Sequence, residues 1–174
     1  MSHVGRAAAG FTMIELLLVV GLVGVLAAVG LPSMSDLVTS NRMKDVSLNL
    51  YTSMTLARSE AIKRNAGNIS VVPGSGASWQ NGWTVCVDTN ANGACDSGET
   101  VLVSGEAPNA SLTVTGPLIV TYNRDGRLAT SAASFRIKSG TNNSRAPMRC
   151  VEVSTSGRPV TRVDSNAIDS DGCN

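Results

Sequence analysis

The residues from Asp88 to Glu99 have the types and spacing of an oxygen-ligand cage for a hard divalent cation. The segment reads DTNANGACDSGE, which fits the calcium-loop pattern D-x-[DN]-x-[DN]-G-x5-E. Its oxygen donors would be Asp88, Asn90, Asn92, the carbonyl of Ala94, Asp96 and Glu99. Strand-like sequence flanks the loop in place of the helices of an EF-hand, and Asn, Asp and Gly also favour plain hairpin turns. The segment therefore predicts either a calcium site or a hairpin tip without a ligand.

Charge is segregated along the chain, although the formal net charge of the 174 residues is only +1. Residues 82–106 carry four acidic side chains and no basic one, whereas residues 123–162 carry eight basic and two acidic side chains. Such a basic stretch predicts a surface that attracts an acidic partner. The alternative is a set of solvated arginines on strand faces, balanced by the acidic hairpin.

Four cysteines form an even set: Cys86, Cys95, Cys150 and Cys173. Export of this part of the chain to an oxidising compartment would give two disulfides. Three pairings are open, and the short local loops favour Cys86 with Cys95 and Cys150 with Cys173. A zinc site is disfavoured because there is no C-x-x-C pair and the single histidine is His3.

The chain offers little for catalysis. After residue 10 it has no histidine, which excludes Ser-His and Cys-His arrangements and histidine-ligated metals. No glycine-rich phosphate loop follows a strand and opens a helix. We therefore expect a structural or binding protein that is not an enzyme and has no cofactor, apart from calcium if the loop holds it.

An apolar segment near the N-terminus precedes the loop, the basic stretch and the cysteines. Leu16 to Ser35 contains 20 residues without a charge, which is about 30 Å of helix and matches a bilayer core. Arg6 precedes it, and the positive-inside tendency sends the C-terminal part outward. The run is too long for an ordinary cleavable signal peptide. A plain signal-anchor leaves Glu15 unexplained, because a carboxylate in apolar surroundings is costly unless it is neutralised.

The rest of the sequence predicts a second helical stretch and then strands. An apolar stripe in steps of three and four follows Asp36, and the helix is expected to end near Asn65. The stripe consists of Met43, Val46, Leu50, Met54, Ala57 and Ala61. Eight short β-branched runs follow, separated by Gly, Asn and Ser: NISVV, GWTVCV, TVLV, SLTV, LIVTY, SFRIK, MRCVEV and RPVTRV. The sequence thus predicts an α+β fold, in which a long N-terminal helix packs on an antiparallel β-sheet head.

The segment GFTMIE, Gly10 to Glu15, resembles the class III signal of type IV pilins and type II secretion pseudopilins. Three further segments resemble signatures of the GspH/FimT/FimU branch of minor pilins and pseudopilins. They are ARSEAIKRN at residues 57–65, WQNGWTVCVDTNANGACDSGE at 79–99 and VSTSGRPV at 153–160. The resemblance implies the pilin fold.

The resemblance also implies a domain order and roles for four residues. Residues 1–10 would be a prepilin leader that a dedicated peptidase removes between Gly10 and Phe11, after which Phe11 is N-methylated. Glu15 would pair with the N-terminal amine of a neighbouring subunit during assembly, and Pro32 would disturb the helix. Residues 11–35 would form the transmembrane and filament-core helix. An amphipathic helix at 36–66 would then lead into a disulfide-containing β head at 67–174.

The function implied by the resemblance is that of a minor, structural subunit which primes a pilus or pseudopilus or occupies its tip. Its partners would be other major and minor pilins or pseudopilins, the prepilin peptidase and an inner-membrane assembly platform. It would cross the inner membrane once, with its head in the periplasm, before entering the filament. One alternative is a type II secretion pseudopilin. Another is a DNA-binding minor pilin for natural transformation, which would use Arg158 and the displaced Arg162 in place of a G-R-x-R element.

Overall fold

The computed structural model describes residues 10–65, 67–140, 146–165 and 172–173. Of the expected leader, residues 1–10, only Gly10 is among them; the rest lies outside the described residues. The chain divides into two compact units, of which the first ends at Asp36 and the second begins at Leu37. Each unit is described by itself below.

Helix α1 runs from Met13 to Arg64 and is continuous through Pro32. Its C-terminal end lies within one residue of the end expected near Asn65, ahead of Gly67. A disturbance of the helix at Pro32 is expected in the assembled filament, and it stays a prediction. None of the helical stretch that the structure describes combines the length and apolar character needed to cross a bilayer.

In the described part of the chain eight strands follow α1, and they correspond to the eight predicted runs. They are β1 (Ile69–Gly74), β2 (Ser78–Val87), β3 (Thr100–Gly105), β4 (Leu112–Thr115), β5 (Val120–Tyr122), β6 (Ala133–Ser139), β7 (Arg149–Val153) and β8 (Pro159–Val163). All pairings are antiparallel. The strands form two four-stranded sheets, in the orders β3-β2-β1-β5 and β4-β6-β7-β8. The predicted α+β fold is confirmed, with the head divided into two sheets.

The side chain of Gln80 bridges the two sheets, which share no backbone ladder among the described residues. Gln80 on β2 donates from Nε2 to the carbonyl of Leu112 at 2.8 Å, and its Oε1 accepts from the backbone N–H of Val114. Nearby, Trp79 Nε1 donates to the carbonyl of Pro117 at 2.8 Å. The side-chain amide thereby satisfies backbone groups at the edge of β4 that would otherwise lack partners.

The core lies between the second part of α1 and the sheets. Five residues of the predicted stripe are fully buried: Met43, Leu50, Met54, Ala57 and Ala61. They belong to one cluster with apolar residues of both sheets, among them Val85 and Phe135. The Phe135 ring meets Trp79 edge-on, with centroids 4.7 Å apart. The helical periodicity thus located the face of α1 that packs on the head.

Candidate functional site

The predicted assembly residue Glu15 lies in the first turn of α1, where it takes part in a capping box with Thr12. The backbone N–H and the hydroxyl of Thr12 each approach Glu15 Oε2 at 3.2 Å, and the N–H of Glu15 donates to Thr12 Oγ1 at 3.3 Å. This pairing satisfies free N–H groups at the start of the helix. The sequence analysis missed Thr12, although the T-x-x-E spacing ahead of an apolar run is a known signal for a cap.

The first unit presents apolar side chains to its surroundings. Phe11, beside the predicted cleavage point, is 86% exposed, and Ile14 is 75% exposed. Large apolar residues from Leu16 to Leu26 are between about half and two-thirds exposed. Burial of apolar area is the main favourable term in protein association, so this segment of α1 is suited to an apolar environment or to packing against other helices.

The loop between β2 and β3 is organised around the buried carboxylate of Asp88. Its Oδ1 accepts from the N–H of Asn92 at 3.1 Å. Its Oδ2 accepts from the N–H of Gly93 at 2.9 Å and from the hydroxyl of Ser70 at 3.1 Å. Ser70 is fully buried on β1 and also lies 3.0 Å from Thr121 Oγ1 on β5. Asp88 therefore folds the loop back against its own sheet.

The other two carboxylates of the loop, of the exposed Asp96 and the half-buried Glu99, are satisfied by donors from the same loop. Asp96 Oδ2 accepts from the side-chain amides of Asn90 and Asn92 at 2.9 and 2.7 Å, and these bonds lower the pKa of Asp96. Glu99 accepts from the N–H of Asp96 at 3.0 Å and from the N–H of Thr89 at 2.7 Å. The bond from Asp96 is the largest cause that lowers the pKa of Glu99.

This arrangement differs from a calcium cage, which needs several carboxylate and carbonyl oxygens converging on one point. Here the lone pairs of Asp88, Asp96 and Glu99 are directed at N–H and O–H donors. Among the described residues there is no group of three or more His, Cys, Asp or Glu side chains placed to hold a metal ion. The calcium interpretation of Asp88, Asn90, Asn92, Ala94, Asp96 and Glu99 therefore receives no support from the geometry, because the motif serves as an internally bonded loop.

Two disulfides are present, in the pairing that the short loops favoured. Cys86 bonds to Cys95 with the sulfurs 2.00 Å apart, and Cys150 bonds to Cys173 with the sulfurs 2.07 Å apart. The first ties the middle of the β2–β3 loop to β2. The second ties the C-terminal residues to β7. Cys86, Cys150 and Cys173 are buried, so both links belong to the framework of the head.

The two arginines proposed for DNA, Arg158 and Arg162, line one groove beside Glu152, but they differ in whether they are engaged. Arg162 on β8 pairs with Glu152 on β7, with Nε 3.0 Å from Oε2. Arg158 is exposed in the turn before β8, and no hydrogen-bond or ion-pair partner is seen for its guanidinium among the described residues. The two guanidiniums do not form a free clamp, because one of them is already engaged.

Tertiary packing also brings Arg158 close to a second basic turn. Residues 123–127 and 154–158 each form a tight turn, closed by N–H bonds from Gly126 to Asn123 and from Gly157 to Ser154, both 2.8 Å. A Cβ on Gly157, whose φ is +78°, would lie 1.9 Å from the carbonyl oxygen of Gly126. We call residues 123–127 and 154–158 the twin turns. Their contact requires glycine at position 157.

Two side chains of helix α1 contact the twin turns. Arg58 Nε donates to the carbonyl of Gly126 at 3.1 Å, and the side chain of Ile62 also lies against Gly126. Under Gly157 lies the ring of Tyr122, whose hydroxyl has no hydrogen-bond partner within the described residues. Burial raises the pKa of Tyr122 and outweighs the lowering by the charge of Arg58. Tyr122 is therefore a neutral packing residue and not an acid-base group.

Comparison with known proteins points to one family. The sequence profile described as type II transport protein GspH matches residues 47–157. The pilin-like protein PilA1 of Thermus thermophilus is 42% identical over 94 residues, which are 52% of this chain and 54% of that protein. The chain thus spans about half the length of this relative.

Solved structures share the fold at lower identity. The type IV minor pilin FimU of Pseudomonas aeruginosa matches with a TM-score of 0.55 and 20% identity, covering 72% of this chain and 90% of FimU. The minor pseudopilin EpsH of the type 2 secretion system of Vibrio cholerae matches with a TM-score of 0.51 and 12% identity, covering 70% and 95% of the two chains. These likenesses support the pilin-type architecture of the head.

Proposed function

The chain belongs to the GspH family, and on this premise we propose that it is a minor, structural pilin-like subunit that takes part in the assembly of a pilus or pseudopilus. The family is one of pilin-type structural subunits and not of enzymes. The observation that carries the proposal is a carboxylate in the first turn of an exposed apolar helix, which leads into a compact pilin-type head. We place the subunit in the priming or tip complex.

The proposed mechanism uses the first residues of α1. Cleavage between Gly10 and Phe11 creates an α-amine on Phe11, one residue before the Thr12–Glu15 capping box, and Phe11 is then N-methylated. A carboxylate and an ammonium, each costly alone in apolar surroundings, neutralise one another when a neighbouring subunit supplies the amine. The capping box supports this role, since it holds Glu15 by Thr12 hydrogen bonds until a stronger, charged donor arrives.

The proposed location follows from the same segments. We propose that the chain crosses the inner membrane once through residues 11–35, with the head in the periplasm, and then enters the filament. Two disulfides in the head support an oxidising compartment. The partners would be other pilins or pseudopilins, the prepilin peptidase and the inner-membrane assembly platform.

Substitution of Glu15 tests the assembly role. In the native host, Glu15→Ala should leave cleavage after Gly10 intact, measured by mass spectrometry, while less of the subunit appears in sheared filaments. Thr12→Val is the companion variant: it removes the hydroxyl of the cap and keeps the charge, so incorporation should fall less. Normal incorporation of Glu15→Ala would contradict the assignment.

A DNA-binding minor pilin remains the second candidate function, and the exposed, unengaged Arg158 is the observation that favours it. A gel shift of the full chain in detergent at low salt, repeated with Arg158→Ala and Arg162→Ala, tests this candidate. Since Arg162 is paired with Glu152, its removal should weaken binding less than removal of Arg158. Absence of any shift removes the candidate. Gene neighbours would separate a type IV pilus from a type II secretion pseudopilus.

A further inference from the structure

The twin turns carry a basic surface that the head does not neutralise. Arg124, Arg127 and Arg158 are all exposed, and no hydrogen-bond or ion-pair partner of their guanidiniums is seen in the described part of the chain. Asp125 is the one carboxylate within these turns, and its Oδ1 accepts from the backbone N–H of Arg127 at 3.4 Å. Exposed guanidiniums on turns whose backbones are held together are suited to meet a complementary negative surface.

A complementary surface lies elsewhere on the same head. A groove between α1 and the chain after β3 is lined by Asp45, Asn49, Trp83 and Glu106, and we call it the acidic groove. The carboxylates of Asp45 and Glu106 are exposed, and neither has a hydrogen-bond or ion-pair partner among the residues described. Arg42 also lines the groove, but its guanidinium is directed at Asn109 and Ser111, at 3.4 and 3.3 Å.

The two surfaces are displaced from one another along α1. Asp45 lines the acidic groove, whereas Arg58 supports the twin turns, and the helix rise puts these residues about 20 Å apart along the axis. Complementary patches at two different places on one molecule allow a head-to-tail contact between two copies.

We propose that the twin turns of one head dock into the acidic groove of a second copy of this chain. Arg124 and Arg127 would approach Asp45 and Glu106 of the neighbour, over the apolar floor that Trp83 provides. The proposal deepens the proposed function, because it names a contact through which one pilin-type head meets the next. Free carboxylates distinguish this groove from the β2–β3 loop, whose acids are already bonded within the loop.

The test uses full-length tagged and untagged chains, purified in detergent, treated with nuclease and mixed at about 0.05 M and about 0.5 M salt. At low salt the tagged chain should retain the untagged one, and high salt should release it. Reversal of one surface in both chains, by Arg124→Glu with Arg127→Glu or by Asp45→Lys with Glu106→Lys, should lower retention by about tenfold or more.

Mixing the two reversed variants should restore retention, because each then carries the partner charge for the other. This rescue also shows that both variants are folded. Lys44→Glu, which adds negative charge beside the acidic groove, is the companion variant and should raise retention rather than lower it. Absent or salt-insensitive retention after nuclease treatment, or failure of the mixture to restore binding, would overturn the proposal. Glu15 is unchanged throughout, so this result is independent of filament incorporation.

Discussion

The β2–β3 loop and the twin turns are both short, polar and rich in charge, yet they differ in whether their charged groups are hydrogen-bonded within the head. The carboxylates of Asp88, Asp96 and Glu99 accept hydrogen bonds from their own loop or from β1. The guanidiniums of Arg124, Arg127 and Arg158 project from rigid turns without such partners in the described structure. A charged motif that satisfies itself stabilises the fold, whereas one that the fold leaves unsatisfied is available to a partner.

The largest effect is expected from Gly157→Ala in the twin turns. The new Cβ would meet the Gly126 carbonyl at a positive φ, and we expect a loss of about 2–5 kcal/mol of unfolding free energy, measured by denaturant titration. Gly76→Ala is the matched control, since its φ is +71° with nothing within 4 Å of the new Cβ. It should cost about 1–2 kcal/mol. Equal losses at both positions would show that the turns do not press on each other.

The next largest effect should come from Asp88→Ala in the β2–β3 loop. It removes three hydrogen bonds that hold the loop together and tie it to β1, including the one accepted from the Gly93 N–H, and we expect a loss of about 2–4 kcal/mol. Asp96→Ala, in the same loop but exposed, should cost about 1 kcal/mol or less. A loss of unfolding free energy in Asp88→Ala as small as that in Asp96→Ala would contradict this comparison.

A smaller effect is expected from acid. Hydrogen bonds lower the pKa values of Asp96 and Glu99 in the folded chain, so their stabilisation is complete above the unfolded values near pH 4 and is lost as the pH falls through the folded values. The melting temperature should therefore fall below about pH 4, and fall less in Asp96→Asn with Glu99→Gln. Glu106→Gln, at the acidic groove, is the control and should follow the unmodified chain.

The smallest effect is expected from calcium. Because the oxygens of the loop are already directed at N–H and O–H donors, millimolar calcium should give no binding heat and no shift in melting temperature. A calcium-dependent rise that disappears in Asp88→Asn would reverse the interpretation of the loop.

Much of the fold could be predicted because its signals are local. The spacing of Met43, Leu50, Met54 and Ala57 marked the buried face of α1, and β-branched runs between turn residues marked all eight strands. The short separation within Cys86–Cys95 and Cys150–Cys173 also favoured the observed pairing. The division into two sheets was not predicted, because it depends on which distant strands pair, and strand pairing has no periodic signature.

The sequence by itself determined the N-terminal features: an apolar run, a carboxylate at Glu15 and the T-x-x-E cap all depend on neighbours a few residues away. Only the tertiary structure decided which charged groups are free. Asp88 is satisfied by Ser70 on β1, and the basic turns meet because Gly126 and Gly157 touch across 31 residues of chain. Satisfaction of a polar group depends on what packs beside it, and that is set by long-range contacts which residue spacing does not encode.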